Sequence, residues 1–195
     1  MAGYPVKKTI WILVFLTCLL SLPAASAWAE EPTGKDWQVI ETRHTTIRFL
    51  SPKDLRVFDS KLNYSVGNGG FLGFFSPSRN GKGLTDTTAE KVDAIYKRAQ
   101  EILDMKKGMR KVVINVYPDT RELQAAFTRI YQRPCRIRAW YRYLNNTIYV
   151  NAGDLNEGML AHEMAHSIID DYMTVRPPRA TAEILARYVD QHLEE

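Results

Sequence analysis

The chain has 195 residues, 45% of them apolar, the make-up of an ordinary globular protein with room for one domain and a proper core. Its formal net charge of +4 at pH 7 is too mild for a protein whose main partner is nucleic acid, because phosphate binding wants a concentrated basic face. No internal repeat, coiled coil or low-complexity tract points to a solenoid or a fibre.

The first 29 residues read as a secretory signal peptide rather than as part of the fold. Lys7 and Lys8 precede an apolar run from Ile10 to Leu20, Pro23 follows, and cleavage is expected after Ala29, at the end of Ala27-Trp28-Ala29. The run is shorter than the roughly 20 residues a membrane-spanning helix needs, so no stable membrane insertion is expected after cleavage. Loss of Lys7 and Lys8 leaves 24 basic against 22 acidic residues, a mature charge of +2. The expected protein is therefore exported, periplasmic or secreted, with residues 30–195 as a single domain. Cys18 leaves with the signal, and Cys135 is then alone, buried or an intermolecular thiol, with burial the better reading.

The mature chain opens on a strand-like stretch from Trp37 to Leu50, closed by Ser51-Pro52, and a short helix from Lys53 to Leu62. Tyr64 to Leu84 carries six glycines and the aromatics Phe71, Phe74 and Phe75, and reads as a long loop packed by its phenylalanines. Thr87 and Glu90 have the spacing of a capping box, followed by Val92, Ile95, Tyr96, Ala99, Ile102 and Leu103 at helical period and then Gly108. Lys111 to Tyr117 is a buried strand, and Thr120 to Tyr131 a helix. Arg136 to Leu144 and Thr147 to Ala152 flank Asn145-Asn146, a pair suited to a tight hairpin turn. Asp154 with Glu157 then has the spacing of a helix start, and after Pro177-Pro178 a last helix spans Ala180 to Leu193.

The chemistry is concentrated in His162-Glu163-Met164-Ala165-His166. Two histidines four residues apart share one helix face, so both imidazoles can reach a single metal ion, while the glutamate between them can address a water at that metal. Met159, Leu160, Ile168 and Ile169 mark the helix as buried, where idle histidines and a carboxylate would be costly. The chain has only four histidines, two of them here; His44, remote in sequence, reads as a surface residue. Glu183, in Ala182-Glu183-Ile184-Leu185-Ala186 on the next helix, suits a third ligand. A two-His-one-Glu set is one of those that leave zinc an open position for water.

His-Glu-x-x-His followed by a helix bearing Glu183 resembles the gluzincin group of zinc peptidases, thermolysin-like and peptidase-MA-like, over roughly Lys111 to Leu193. The longer metzincin motif is excluded, because Ile169 and Tyr172 stand where it wants a glycine and a ligand. The resemblance implies a small α+β zincin-like domain: a mixed sheet with an antiparallel hairpin edge, packed on the motif helix and a C-terminal Glu-bearing helix. It implies one zinc ion on His162, His166 and Glu183, and a peptide or protein substrate added as a strand along Arg138-Ala139-Trp140-Tyr141. Arg187 stands where thermolysin-like members place an acid that orients a histidine ligand, which leaves Asp154, Asp170, Asp171 and Asp190 as candidates for that task.

With zinc bound, water at the site would have its pKa lowered to about 7, and Glu163 would accept its proton and hand it to the leaving amine. Tyr172, Tyr188, His192 and Arg187 are the candidate oxyanion donors. Strand alternation sets Arg136, Arg138, Trp140 and Arg142 on one face, either a solvated edge guarded by charge or a surface selecting acidic substrate groups. The competing function is a catalytically weak or inactive zinc-binding envelope module that holds a peptide or protein partner along its hairpin edge.

Overall fold

Five short strands form one mixed sheet in the order β1-β2-β3-β5-β4, where β1 is Gln38–Glu41, β2 Thr45–Phe49, β3 Val112–Tyr117, β4 Ala139–Arg142 and β5 Thr147–Asn151. The three inner strands run parallel and each edge strand is antiparallel to its neighbour. The structure is a computed structural model and describes residues 36–64, 83–107 and 110–195. The signal-peptide reading of residues 1–29, nearly all of the glycine-rich segment and Gly108 lie outside the described residues.

The strand-like stretch from Trp37 to Leu50 is two strands, because the chain is pinched at Thr42. The Thr42 hydroxyl donates to Asp93 Oδ1 at 2.6 Å and accepts the Thr45 backbone N–H at 2.8 Å. The backbone N–H groups of Arg43 and His44 also donate to the Asp93 carboxylate, at 3.0 and 3.1 Å. His44 is half-buried, stacked on Tyr96 with ring centroids 4.9 Å apart, and so is not a surface residue.

Five helices complete the described fold: α1 (Pro52–Ser60), α2 (Leu84–Leu103), α3 (Thr120–Tyr131), α4 (Glu157–Tyr172) and α5 (Arg179–Gln191). Helix α2 starts three residues before the expected Thr87. The Thr87 and Thr88 hydroxyls donate back to the Leu84 carbonyl at 2.9 and 2.8 Å, so both sit inside the first turn and Gly83 is the cap. Helix α3 has the expected span, with Asp119 accepting the Glu122 N–H at 2.9 Å.

The sheet's two faces are covered differently. Ile47, Ile114, Ile148 and Val150 join Leu55, Phe58, Val92, Ile95, Leu160, Met164 and Ile168 in the main core. Tyr117, Tyr149 and Trp140 form a smaller cluster with Leu123, Ala126 and Phe127 of α3. Within it Trp140 stacks flat on Tyr149 at 4.3 Å and meets Phe127 edge-on at 5.3 Å. The strand face that carries Trp140 is therefore partly roofed by aromatics, not wholly solvated.

The hairpin turns through a single 3₁₀ turn at Tyr143–Asn145, with Asn146 left-handed at φ 49°, a conformation asparagine tolerates. Beyond β5, Asn156 caps α4 by accepting the Met159 N–H at 2.8 Å. Asp154 does not take that place, because Arg138 holds it at 2.8 and 2.6 Å. Helix α5 packs Ala182, Ala186 and Val189 toward α4. Close approach depends on Gly158, where a Cβ would lie 2.0 Å from Asp190 Oδ1 and 3.2 Å from its Cγ. The result is an α+β fold in which α4 is clamped between the sheet and α5. No described helix is long and apolar enough to cross a membrane.

Candidate metal centre

Helix α4 buries Leu160, Ala161, Met164, Ala165, Ile168 and Ile169, which turns His162, Glu163 and His166 toward β4 and α5. The two imidazoles meet edge to face with centroids 4.9 Å apart. Glu183, on the second turn of α5, brings Oε2 to 3.5 Å from His162 Nε2 and 3.7 Å from His166 Nε2. One ligand atom from each of the three lies within 4.8 Å of the others.

These separations fit a metal. Tetrahedral zinc with bonds near 2.0–2.1 Å sets its ligand atoms about 3.3 Å apart, and the observed His–Glu distances of 3.5 and 3.7 Å are a few tenths longer. The donor set, two nitrogens and a carboxylate, is one that zinc takes at sites keeping an open position. Burial and the neighbouring His162 hold His166 below the usual histidine pKa, so it is neutral and free to ligate. The three side chains thus form a candidate binding site for a divalent ion.

Glu163 lines the same cleft. Burial pushes its carboxyl up to about 7, against a lowering hydrogen bond from the Tyr141 backbone N–H and with a further push from Glu183. Tyr141 also lays its ring parallel to His166, at a centroid distance of 6.4 Å. Its hydroxyl donates to Asn146 Oδ1 at 3.1 Å, and Ser167 donates to the same oxygen at 2.8 Å. The hairpin turn and α4 are thereby tied together beside the cluster.

Among the described residues, strand β4 is an edge of the sheet with no further strand beside it. The Asn151 N–H donates to the Arg138 carbonyl opposite it at 3.4 Å, and Ala139 and Tyr141 pair with Val150 and Ile148. Antiparallel alternation then points the N–H and C=O groups of Ala139 and Tyr141 away from β5. The outward Tyr141 N–H favours the charged form of Glu163, and the Ala139 groups face the edge.

The cleft measures about 590 Å³, a size that accepts several residues of an extended chain. Phe127 and Tyr131 of α3 form one wall, Ala139 to Tyr141 another, and Arg176 and Pro177 close the side toward α5. Arg138 is outside the lining, held by Asp154.

None of the four candidate oxyanion donors lines this cleft. Tyr172, at the end of α4, lies under Lys107, whose Nζ is 5.6 Å from its ring centroid. Tyr188 and His192 stack on each other at 4.0 Å near the end of α5, and Arg187 is exposed. The four aspartates are placed elsewhere as well. Asp154 is bound to Arg138, Asp170 to Arg176 at 2.9 Å and Asp171 to Arg110 at 2.7 Å, while Asp190 lies against Gly158.

Sequence reasoning missed two arginines of the cleft, Arg176 and Arg179, and noted the third, Arg133, only as one of the arginines interleaved with the aromatics around the hairpin. Arg179 carried a signal, since it stands one helical turn before Glu183, and its Nε lies 3.6 Å from Glu183 Oε1. Arg176 and Arg133 sit on loops that only the tertiary fold brings to the site. The chain matches no protein-family model, no curated protein and no solved structure.

Proposed function

We propose that this protein is a zinc-dependent peptidase of gluzincin type that hydrolyses peptide bonds, with His162, His166 and Glu183 as metal ligands and Glu163 as general base. The observation that carries the reading is the convergence of three ligand atoms within 4.8 Å in a cleft that Glu163 also lines. The sheet supports it too: an antiparallel edge hairpin lies beside the His-Glu-x-x-His helix, and a Glu-bearing helix follows. The pattern of residues 1–29 adds export to the proposal.

Zinc, when bound, supplies a Lewis acid that acidifies water and polarises a carbonyl. The chain's own groups do the rest. The outward N–H and C=O of Ala139 bind the substrate backbone as an added strand and hold the scissile bond over the cluster. Glu163, which lines the same cleft, takes the proton of the water that adds to the carbonyl carbon. It then delivers that proton to the leaving nitrogen. The Tyr141 N–H favours the charged form of Glu163, the form that accepts the proton.

The test is a mixed peptide library incubated with the purified chain and with Glu163→Ala, after zinc has been quantified in both. The native chain should cut and the variant should not, with equal zinc. Stoichiometric zinc with no cleavage by the native chain would favour a second reading, a zinc-bearing module that holds a partner along β4. The observation on that side is that Asp154, Asp170, Asp171 and Asp190 all serve contacts other than the two imidazoles.

A further inference from the structure

We infer that the cleft selects peptides with a carboxylate close to the scissile bond, recognised by Arg133 and Arg179. This rests on the peptidase reading and adds its substrate class. Apart from the four cluster residues, the fully charged side chains lining the cleft are all cationic: Arg133, Arg176 and Arg179. They are not equivalent. Arg176 is occupied, its Nε 2.9 Å from Asp170 Oδ1 and its guanidinium 4.4 Å from the centre of the Tyr143 ring.

Arg179 is 93% exposed, and its contact is with Glu183, a member of the metal cluster, at 3.6 Å. Once Glu183 shares its charge with a metal ion, that guanidinium is left seeking an anion. Arg133 is exposed and, among the described residues, pairs with no carboxylate. The two enter from different walls, Arg133 from the segment after α3 and Arg179 from the first turn of α5. Both line the cleft that Ala139, Trp140 and Tyr141 of β4 also line. A guanidinium fork matches a carboxylate in shape as well as charge. Arg136, Arg138 and Arg142, the arginines of the hairpin strand, do not line the cleft, so charge selection, one of the two readings of that strand, falls to these two residues.

The carboxylate can come from an acidic side chain or from the substrate's C-terminus, and the test separates them. Labelled alanine-based pentapeptides carrying Glu or Gln at one position, with free or amidated C-termini, are titrated by fluorescence anisotropy into full-length Glu163→Gln with zinc. Because both arginines are exposed, the expected preference for the carboxylate is about three- to tenfold in Kd at low salt and shrinks toward one at 1 M salt. Arg133→Gln with Arg179→Gln should abolish that preference, bringing the Glu and Gln peptides, free and amidated, to one common Kd. A preference tied to Glu identifies the side chain as the source, and one tied to the free terminus identifies the C-terminus. Equal affinities, absent binding, or a preference that survives loss of both arginines overturns the inference. Failure of the native chain to cleave any peptide sinks the peptidase reading separately, since the affinities do not depend on turnover.

Discussion

Two of the places where the described residues bring an acid and a histidine together are built in opposite ways. At the β1–β2 turn, Asp93 accepts the Thr42 hydroxyl and the N–H groups of Arg43 and His44, and His44 is spent on the ring of Tyr96. The Asp93 carboxylate and the Thr42 hydroxyl are both consumed by the chain there, and the product is a turn. At the α4–α5 cleft, His162, His166 and Glu183 converge at 3.5 and 3.7 Å without completing one another, and Glu163 is kept in a place that disfavours its charge. The first arrangement adds stability, whereas the second costs it, which is how sites that act on something else are commonly held.

The largest expected effect lies on the open side of the comparison. Glu163→Gln should lower peptide cleavage by about 10²- to 10⁴-fold while zinc content holds. Thermal stability should hold or rise, because the amide has no charge to bury. A clear loss of stability would mean that Glu163 is a structural group like Asp93. On the closed side, Asp93→Ala removes three hydrogen bonds to a carboxylate and should cost about 3 kcal/mol by urea unfolding, with zinc content unchanged. Metal loss in that variant would show that the two regions are coupled.

Gly158→Ala tests the clamp that brings α5 to α4. A Cβ there meets the flexible end of Asp190, so a loss of about 1 kcal/mol is expected together with weaker zinc binding. The smallest effect concerns acid. Burial raises the Asp171 carboxyl, but hydrogen bonds from the Arg110 side chain and backbone outweigh it and hold the carboxyl below its ordinary value. Its contribution is therefore present above the unfolded carboxylate pKa and is lost as pH falls through the lowered folded one. With Arg110 two-thirds exposed, Asp171→Asn should change stability at neutral pH by less than about 1 kcal/mol and flatten the acid limb of the stability curve.

The element sequence was largely legible, because β3, α3, β5 and α4 carry their period in their apolar residues. Two of the boundaries that differ do so through partners distant in sequence and one through a local contact. Asp93 splits the first strand at Thr42, Arg138 draws Asp154 away from the cap of α4, and the hydroxyls of Thr87 and Thr88 find a carbonyl inside the helix. The motif histidines were legible for a local reason, since residues four apart on a helix must share a face. Glu183 was singled out by its place on the helix that follows the motif, where two histidines still need a third ligand. Arg133 and Arg179 were invisible as a pair, since nothing in a linear chain says that the end of α3 and the start of α5 line one cleft.

Zinc stoichiometry tests the central claim most directly, by elemental analysis of the purified native chain beside His166→Ala, with circular dichroism to confirm that both are folded. The account predicts one zinc per native chain and none retained by the variant. A folded native chain without zinc, or a variant that keeps its full complement, would contradict it.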